Sequence, residues 1–172
     1  EEKLASKGNF QLLKKNFESE TSDPDKRIAV MKKYGIDMQV LTQTTPVLEG
    51  LSAGEAQEVC RMSNDAIGRT CRAHPDRFIP FAVISLLDVQ AGVRELDRAL
   101  QAWGCRGVTI GTNQNNKGLD DPAFHPFFQK ICEHDIPVFL HPMAWRSYPL
   151  ADDDPAIMRL FGWPFDTTLV FL

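Results

Sequence analysis

The sequence predicts an α/β fold of parallel βα repeats. Three observations carry that prediction. Apolar runs of strand length alternate with segments of helical period along most of the chain. The last three strand candidates begin at Phe78, Gly107 and Ile136, about 30 residues apart, the spacing of right-handed βαβ units. The third of them, Ile136-Pro137-Val138-Phe139-Leu140-His141-Pro142, is a short apolar run that ends in a histidine and a proline. Proline cannot extend a central strand's ladder, so this strand stops at His141. An imidazole then stands at the carboxyl end of a buried strand, where α/β folds keep their chemistry. A single histidine there also has a plain structural role open to it, a bond to nearby backbone.

The elements follow in chain order. Residues 1–21 are polar with weak periodicity, anchored only by Leu4, Phe10, Leu12, Leu13 and Phe17, and read as an arm or loop laid on a larger body. Asp23-Pro24 opens a helix, with aspartate as cap and proline at the first helical position. Ile28, Met31 and Tyr34 form its apolar face and Gly35 ends it. Met38 to Leu41 is a strand. Ser52-Ala53-Gly54-Glu55 is a capping box that opens a long helix running to Ala73. Pro75-Asp76-Arg77 turns the chain into a second strand, Phe78 to Val83. Asp88 caps a helix carrying Val93, Leu96, Leu100 and Trp103 on one side, closed by Gly104. Gly107 to Gly111 is a third strand. Asp121-Pro122 opens a helix through Phe127, Phe128 and Ile131, and the strand ending in His141 follows.

Composition narrows the classes. The 172 residues are 43% apolar and 24% charged, ordinary for a soluble domain with a real core. A net charge of −4 recommends neither a nucleic acid nor an anionic membrane. No apolar run approaches the roughly 18 residues of a membrane span, and Glu1-Glu2-Lys3 does not lead into a signal segment. Cys60, Cys71, Cys105 and Cys132 are scattered with no CxxC pair, which points to reduced thiols and a cytoplasmic setting.

A doubly wound sheet and a (β/α)8 barrel both fit the repeat. The one glycine-rich turn, Gly104-Cys105-Arg106-Gly107, precedes a strand instead of following one, so no dinucleotide fingerprint exists and the barrel is favoured. A barrel takes eight strands and roughly 250 residues. Four strands are clear here, and Phe165 to Leu172 carries no stop signal, so the expectation is a single, incomplete barrel domain over 1–172.

Several segments together resemble the amidohydrolase superfamily, in its branch containing aminocarboxymuconate-semialdehyde decarboxylase. They are Tyr34-Gly35-Ile36-Asp37-Met38-Gln39-Val40-Leu41-Thr42, Asn64-Asp65, Pro75-Asp76-Arg77-Phe78 and Gly107-Val108-Thr109-Ile110-Gly111-Thr112-Asn113. Leu119-Asp120-Asp121-Pro122, Pro137 to Pro142, Gly162-Trp163-Pro164 and Thr167-Thr168 continue the series. The resemblance implies part of a metal-dependent hydrolase-type (β/α)8 TIM barrel, with one divalent metal, zinc first and manganese second, at its carboxyl face. It maps the four strands onto barrel strands 2 to 5 and His141 onto the fifth-strand metal ligand. The Asp-x-His-x-His of a first strand has no counterpart here, since the sequence holds no His-x-His. The resemblance places the sixth-strand catalytic histidine and the eighth-strand aspartate beyond Leu172. One imidazole is too few for a catalytic zinc site, so the chain alone is expected to be inactive.

Beside His141, the candidate substrate contacts are Trp145, Arg146, Arg159 and Asn113. Trp145 and Arg146 follow the strand in the loop that would frame a barrel mouth, where Arg146 could grip a carboxylate with two hydrogen bonds. Asn113 lies in Thr112-Asn113-Gln114-Asn115-Asn116, which also reads as turn chemistry. His74 reads as a helix cap, His125 and His134 as solvated positions, and Asp152-Asp153-Asp154 as an acidic surface loop. The resemblance implies a non-oxidative decarboxylase of an unsaturated or aromatic carboxylic acid, working as a homodimer on a small-molecule acid. A hydrolase or hydratase on the same barrel, and a half-barrel without catalysis, are the other readings.

Overall fold

The computed structural model describes residues 23–43, 48, 50–114, 117–143 and 161–170. The arm over 1–21, and Trp145, Arg146, Tyr148, Asp152-Asp153-Asp154 and Arg159, lie outside the described residues. The order is α1 (Pro24–Lys33), β1 (Gln39–Leu41), α2 (Ala53–Ala73), β2 (Phe78–Pro80), β3 (Ala82–Val83) and α3 (Val89–Trp103). Then come β4 (Val108–Gly111), β5 (Asn113–Gln114), β6 (Lys117–Gly118), α4 (His125–His134), β7 (Val138–His141) and α5 (Trp163–Leu169).

The helices begin where the sequence signals them. Asp23 accepts hydrogen bonds from the Asp25 and Lys26 amides at the start of α1. Ser52 and Glu55 form the reciprocal capping box of α2. Asp88 accepts from the Ala91 amide at the start of α3, and Gly104 closes that helix in the left-handed conformation, φ 66°. Two expectations need correction. Tyr34 is not on the buried face of α1. It is the C-cap residue, past the last turn, and is 67% exposed. The helix after Asp121 does not run as one piece. Pro122–Phe124 is a 3-10 turn, because Pro126 has no N–H to donate back to Pro122 and so breaks the α ladder there.

The four principal strands are parallel, in the order β1, β2 with β3, β4, β7. The expected strand Phe78 to Val83 is one path in two parts, bent at Phe81. β2 lies against β1, and β3 against β4. The bend keeps both neighbours: the Phe81 amide donates to Leu41 O, and the Arg106 amide to Pro80 O. Pro80, without an N–H, fits the bend because no ladder bond is asked of it there.

Alternation along the strands divides the sheet into two faces. Ala82, Ile84, Val108 and Ile110 face the helices and pack with Leu96, Ala99, Phe127 and Ile131; Val138 and Leu140 join them. A second cluster under α1 and α2 holds Met31, Leu41, Cys71 and Phe78. Thr109, Phe139 and His141 therefore share the opposite, inner face. There Val40 and Phe139 are each about half exposed. Helices on one side and a concave inner face on the other are the layers of a barrel wall.

Candidate functional site

The carboxyl ends of β4 and β7 lie side by side, with Gly111 opposite His141 in the register. The Met143 side chain packs over Gly111: a Cβ there would stand 2.5 Å from Met143 Cγ and 2.9 Å from its sulfur, so that side chain would have to move. The Thr112 amide donates to His141 O at 3.0 Å, which carries the ladder one step past the strand ends. His141 is half-buried on the inner face. Its Nδ1 lies 2.9 Å from Pro142 O, and its ring meets Trp163 edge-on, with centroids 6.4 Å apart.

Trp163 opens α5, and the same helix carries Asp166. Asp166 is 1% exposed. An aspartate in a first turn normally caps its own helix or complements its dipole. This one reaches across instead. Its Oδ2 accepts from the Thr112 hydroxyl and from the Met143 amide, the latter at 2.5 Å. The Met143 amide also lies 2.9 Å from Thr112 Oγ1. Thr112, Met143 and Asp166 thus form one buried knot joining β4, β7 and α5.

Below this layer the inner face carries a polar contact beside the apolar Val40 and Phe139. The Thr42 hydroxyl, just past β1, reaches the Thr109 hydroxyl of β4 at 2.7 Å, over the intervening strand. Asn113 is buried in β5, which pairs antiparallel with β6 in a short hairpin after β4. Asn113 stands next to Thr112 in the same corner. Gln114 is also buried, its Oε1 accepting from the Leu86 amide at 2.9 Å.

The remaining histidines stay away from this corner. His74 is the C-cap of α2 and packs edge-on to Phe78. His125 and His134 are exposed on α4, the latter 3.4 Å from Asp97. An open apolar groove of about 760 Å³, lined by Met38, Arg72, Pro75, Trp103, Arg106 and Pro137 among others, lies at the amino ends of the strands, opposite His141. Barrel enzymes keep catalysis at the other end, so this groove is not the candidate site.

The donor chemistry bears on a metal. Among the described residues no group of three or more His, Cys, Asp or Glu side chains is placed to hold a metal ion. His141 comes to the inner face as a single imidazole, and Asp166 is engaged in the knot. The described residues alone do not fit a catalytic metal site. Any further ligands would come from outside them. No helix among the described residues is long and apolar enough to cross a membrane.

An amidohydrolase family profile matches residues 10–166. A 2-amino-3-carboxymuconate-6-semialdehyde decarboxylase of Dictyostelium discoideum is 33% identical over 130 residues, covering 74% of this chain and 36% of that protein. A gamma-resorcylate decarboxylase of Rhizobium radiobacter is 31% identical over 125 residues, covering 69% of this chain and 38% of that protein. The chain therefore spans less than two fifths of the length of these curated relatives. Among solved structures, 5-carboxyvanillate decarboxylase from Novosphingobium aromaticivorans, complexed with manganese and 4-hydroxy-3-methoxy-5-nitrobenzoic acid, superimposes with a TM-score of 0.75 at 28% identity. It covers 84% of this chain and 42% of that one.

Proposed function

The chain belongs to the amidohydrolase family, and from that premise we propose that the whole protein is a metal-dependent, non-oxidative decarboxylase of an unsaturated or aromatic carboxylic acid. The observation that carries the reading is the position of His141. It stands on the inner face, at the carboxyl end of the last described parallel strand, in a chain whose relatives decarboxylate such acids.

In the reaction the bond from the substrate carbon to its carboxylate breaks and carbon dioxide leaves. The electron pair stays on the ring or vinyl carbon and is taken up by a proton. In the complete site His141 would serve as a neutral imidazole ligand to a divalent metal, with its other nitrogen fixed by an acceptor, and the metal would orient the acid and polarise its oxygens. Manganese in the carboxyvanillate decarboxylase structure moves the expectation from zinc towards manganese. Its aromatic acid likewise supports a small aromatic carboxylic acid as substrate. Arg146, five residues after His141 in the sequence, is the residue proposed to grip the carboxylate, with Trp145, Asn113 and Arg159 as further candidate contacts. Phe139 adds an aromatic surface to the inner face, half exposed two residues before His141.

Carbon dioxide release from a panel of dihydroxybenzoates, carboxyvanillate-type acids and muconate semialdehydes tests the reading. Release from at least one is expected, with His141→Ala losing manganese affinity as well as turnover. Lactone opening or hydration without any carbon dioxide would move the protein to the hydrolase or hydratase chemistry of the same barrel.

A further inference from the structure

We propose that Asp166 is a positioning residue for His141. The inference goes beyond the decarboxylase reading in naming a residue that reaches the site through others, and rests on that reading only for its consequence in turnover. The geometry is specific. Asp166 is almost wholly buried, while Phe161, Trp163 and Phe165 around it are exposed, so its burial is not that of a helix sunk in a core. Its carboxylate spends its bonds on two other elements: the Thr112 hydroxyl past β4 and the Met143 amide past β7. In a buried, low-dielectric corner such hydrogen bonds are stronger than in water, and leaving them unmade is costly.

His141 lies inside that knot. Its carbonyl accepts from the Thr112 amide, two residues on Met143 is tied to Asp166, and between them Nδ1 meets Pro142 O. Trp163, three residues before Asp166 on the same helix, places its ring against the imidazole. α5 thus acts on His141 twice, on the backbone corner that carries it and on the ring itself. Without the carboxyl group, the Met143 amide loses an acceptor and the corner after His141 gains freedom. A side chain that must meet a reacting group within a few tenths of an ångström is sensitive to such freedom.

The test is histidine ring NMR on the complete protein labelled at histidine, without metal or substrate, with His141 identified by its loss in His141→Gln. In Asp166→Ala the His141 ring signals shift or split, while those of His74, His125 and His134 stay in place. His141 signals that superimpose on the parent's, with only the melting temperature lowered, would overturn the proposal. If Asp166→Ala does not fold, Thr112→Val decides in the same way, since it removes the hydroxyl's two bonds in the knot and keeps the side-chain shape. Where the parent decarboxylates, kcat/KM in Asp166→Ala falls roughly 10- to 100-fold, the usual effect of losing a support behind a site residue. A parent that releases no carbon dioxide overturns the proposed activity alone, because the metal-free ring signals judge Asp166 independently.

Discussion

The side-chain amide of Asn64 stands in for a strand neighbour. Its Oδ1 accepts from the Val83 amide at 2.7 Å and its Nδ2 donates to Val83 O at 3.1 Å, at the point where β1 no longer runs beside β3. The second hydrogen of the same Nδ2 goes to Glu95 on α3 at 2.7 Å. No apolar side chain can do this, and aspartate lacks the donor. Asn64→Leu leaves two buried backbone groups unpaired, at about 1–3 kcal/mol each. Urea unfolding should show a loss of about 2–5 kcal/mol with the slope unchanged; a loss under about 1 kcal/mol would mean that water or β1 fills the gap. Asn64-Asp65 was visible in the sequence as part of the family resemblance, yet nothing in it said that Asn64 completes a sheet. Asp166 is the same kind of case. Its partners are 54 and 23 residues away in sequence, and only folding brings them together.

At the scale of elements, α2 and α3 are held by a charged clamp around Asp65. The carboxylate accepts from Trp103 Nε1 and from Arg98, each at 2.8 Å, and from Arg61 at 3.3 Å. Trp103 lies flat against Gly68, where any Cβ would collide with its ring, and Arg72 stacks over it at 4.6 Å. Burial pushes the Asp65 carboxyl up, but the Trp103 and Arg98 hydrogen bonds and the two guanidinium charges outweigh it and hold the group below its usual range. A depressed carboxyl stabilises the folded state fully above its unfolded value, about 3.9, and loses that contribution as pH falls through the lower folded value. Asp65→Asn should therefore be less stable than the parent at pH 6, and the gap should narrow as pH falls below about 4. Thermal melting against pH would read this; a constant gap across pH would show that the loss is steric. The helix boundaries on either side were legible in sequence, because caps are local chemistry. The clamp was not, because it needs two helices at once.

For the whole molecule, the described residues form part of a (β/α)8 barrel wall, with helices packed on one face and an inner face carrying His141. Its thiols report how that wall opens. Burial pushes the thiols of Cys60 and Cys105 up to about 12 and that of Cys71 up to about 11, while Cys132 is exposed on α4. A buried protonated thiol is a poor nucleophile. At neutral pH a disulfide reagent should modify Cys132 at once, and the other three only at the rate at which the domain unfolds. Reaction of Cys71 with the native protein would show that the cluster under α1 and α2 opens by itself.

The βα order, the helix caps, the end of a strand at His141 and the family of these segments are all legible in the chain's local patterns. These rest on local rules: periodicity, capping chemistry, and proline's missing donor. Tertiary structure alone decided that the second strand bends at Phe81 to keep two neighbours, that Asn64 replaces a strand, and that a buried Asp166 ties three elements around His141. Each depends on groups far apart in the chain meeting at hydrogen-bond distance. Such contacts leave no local pattern, because what selects them is the cost of burying a polar group unpaired once the fold has formed.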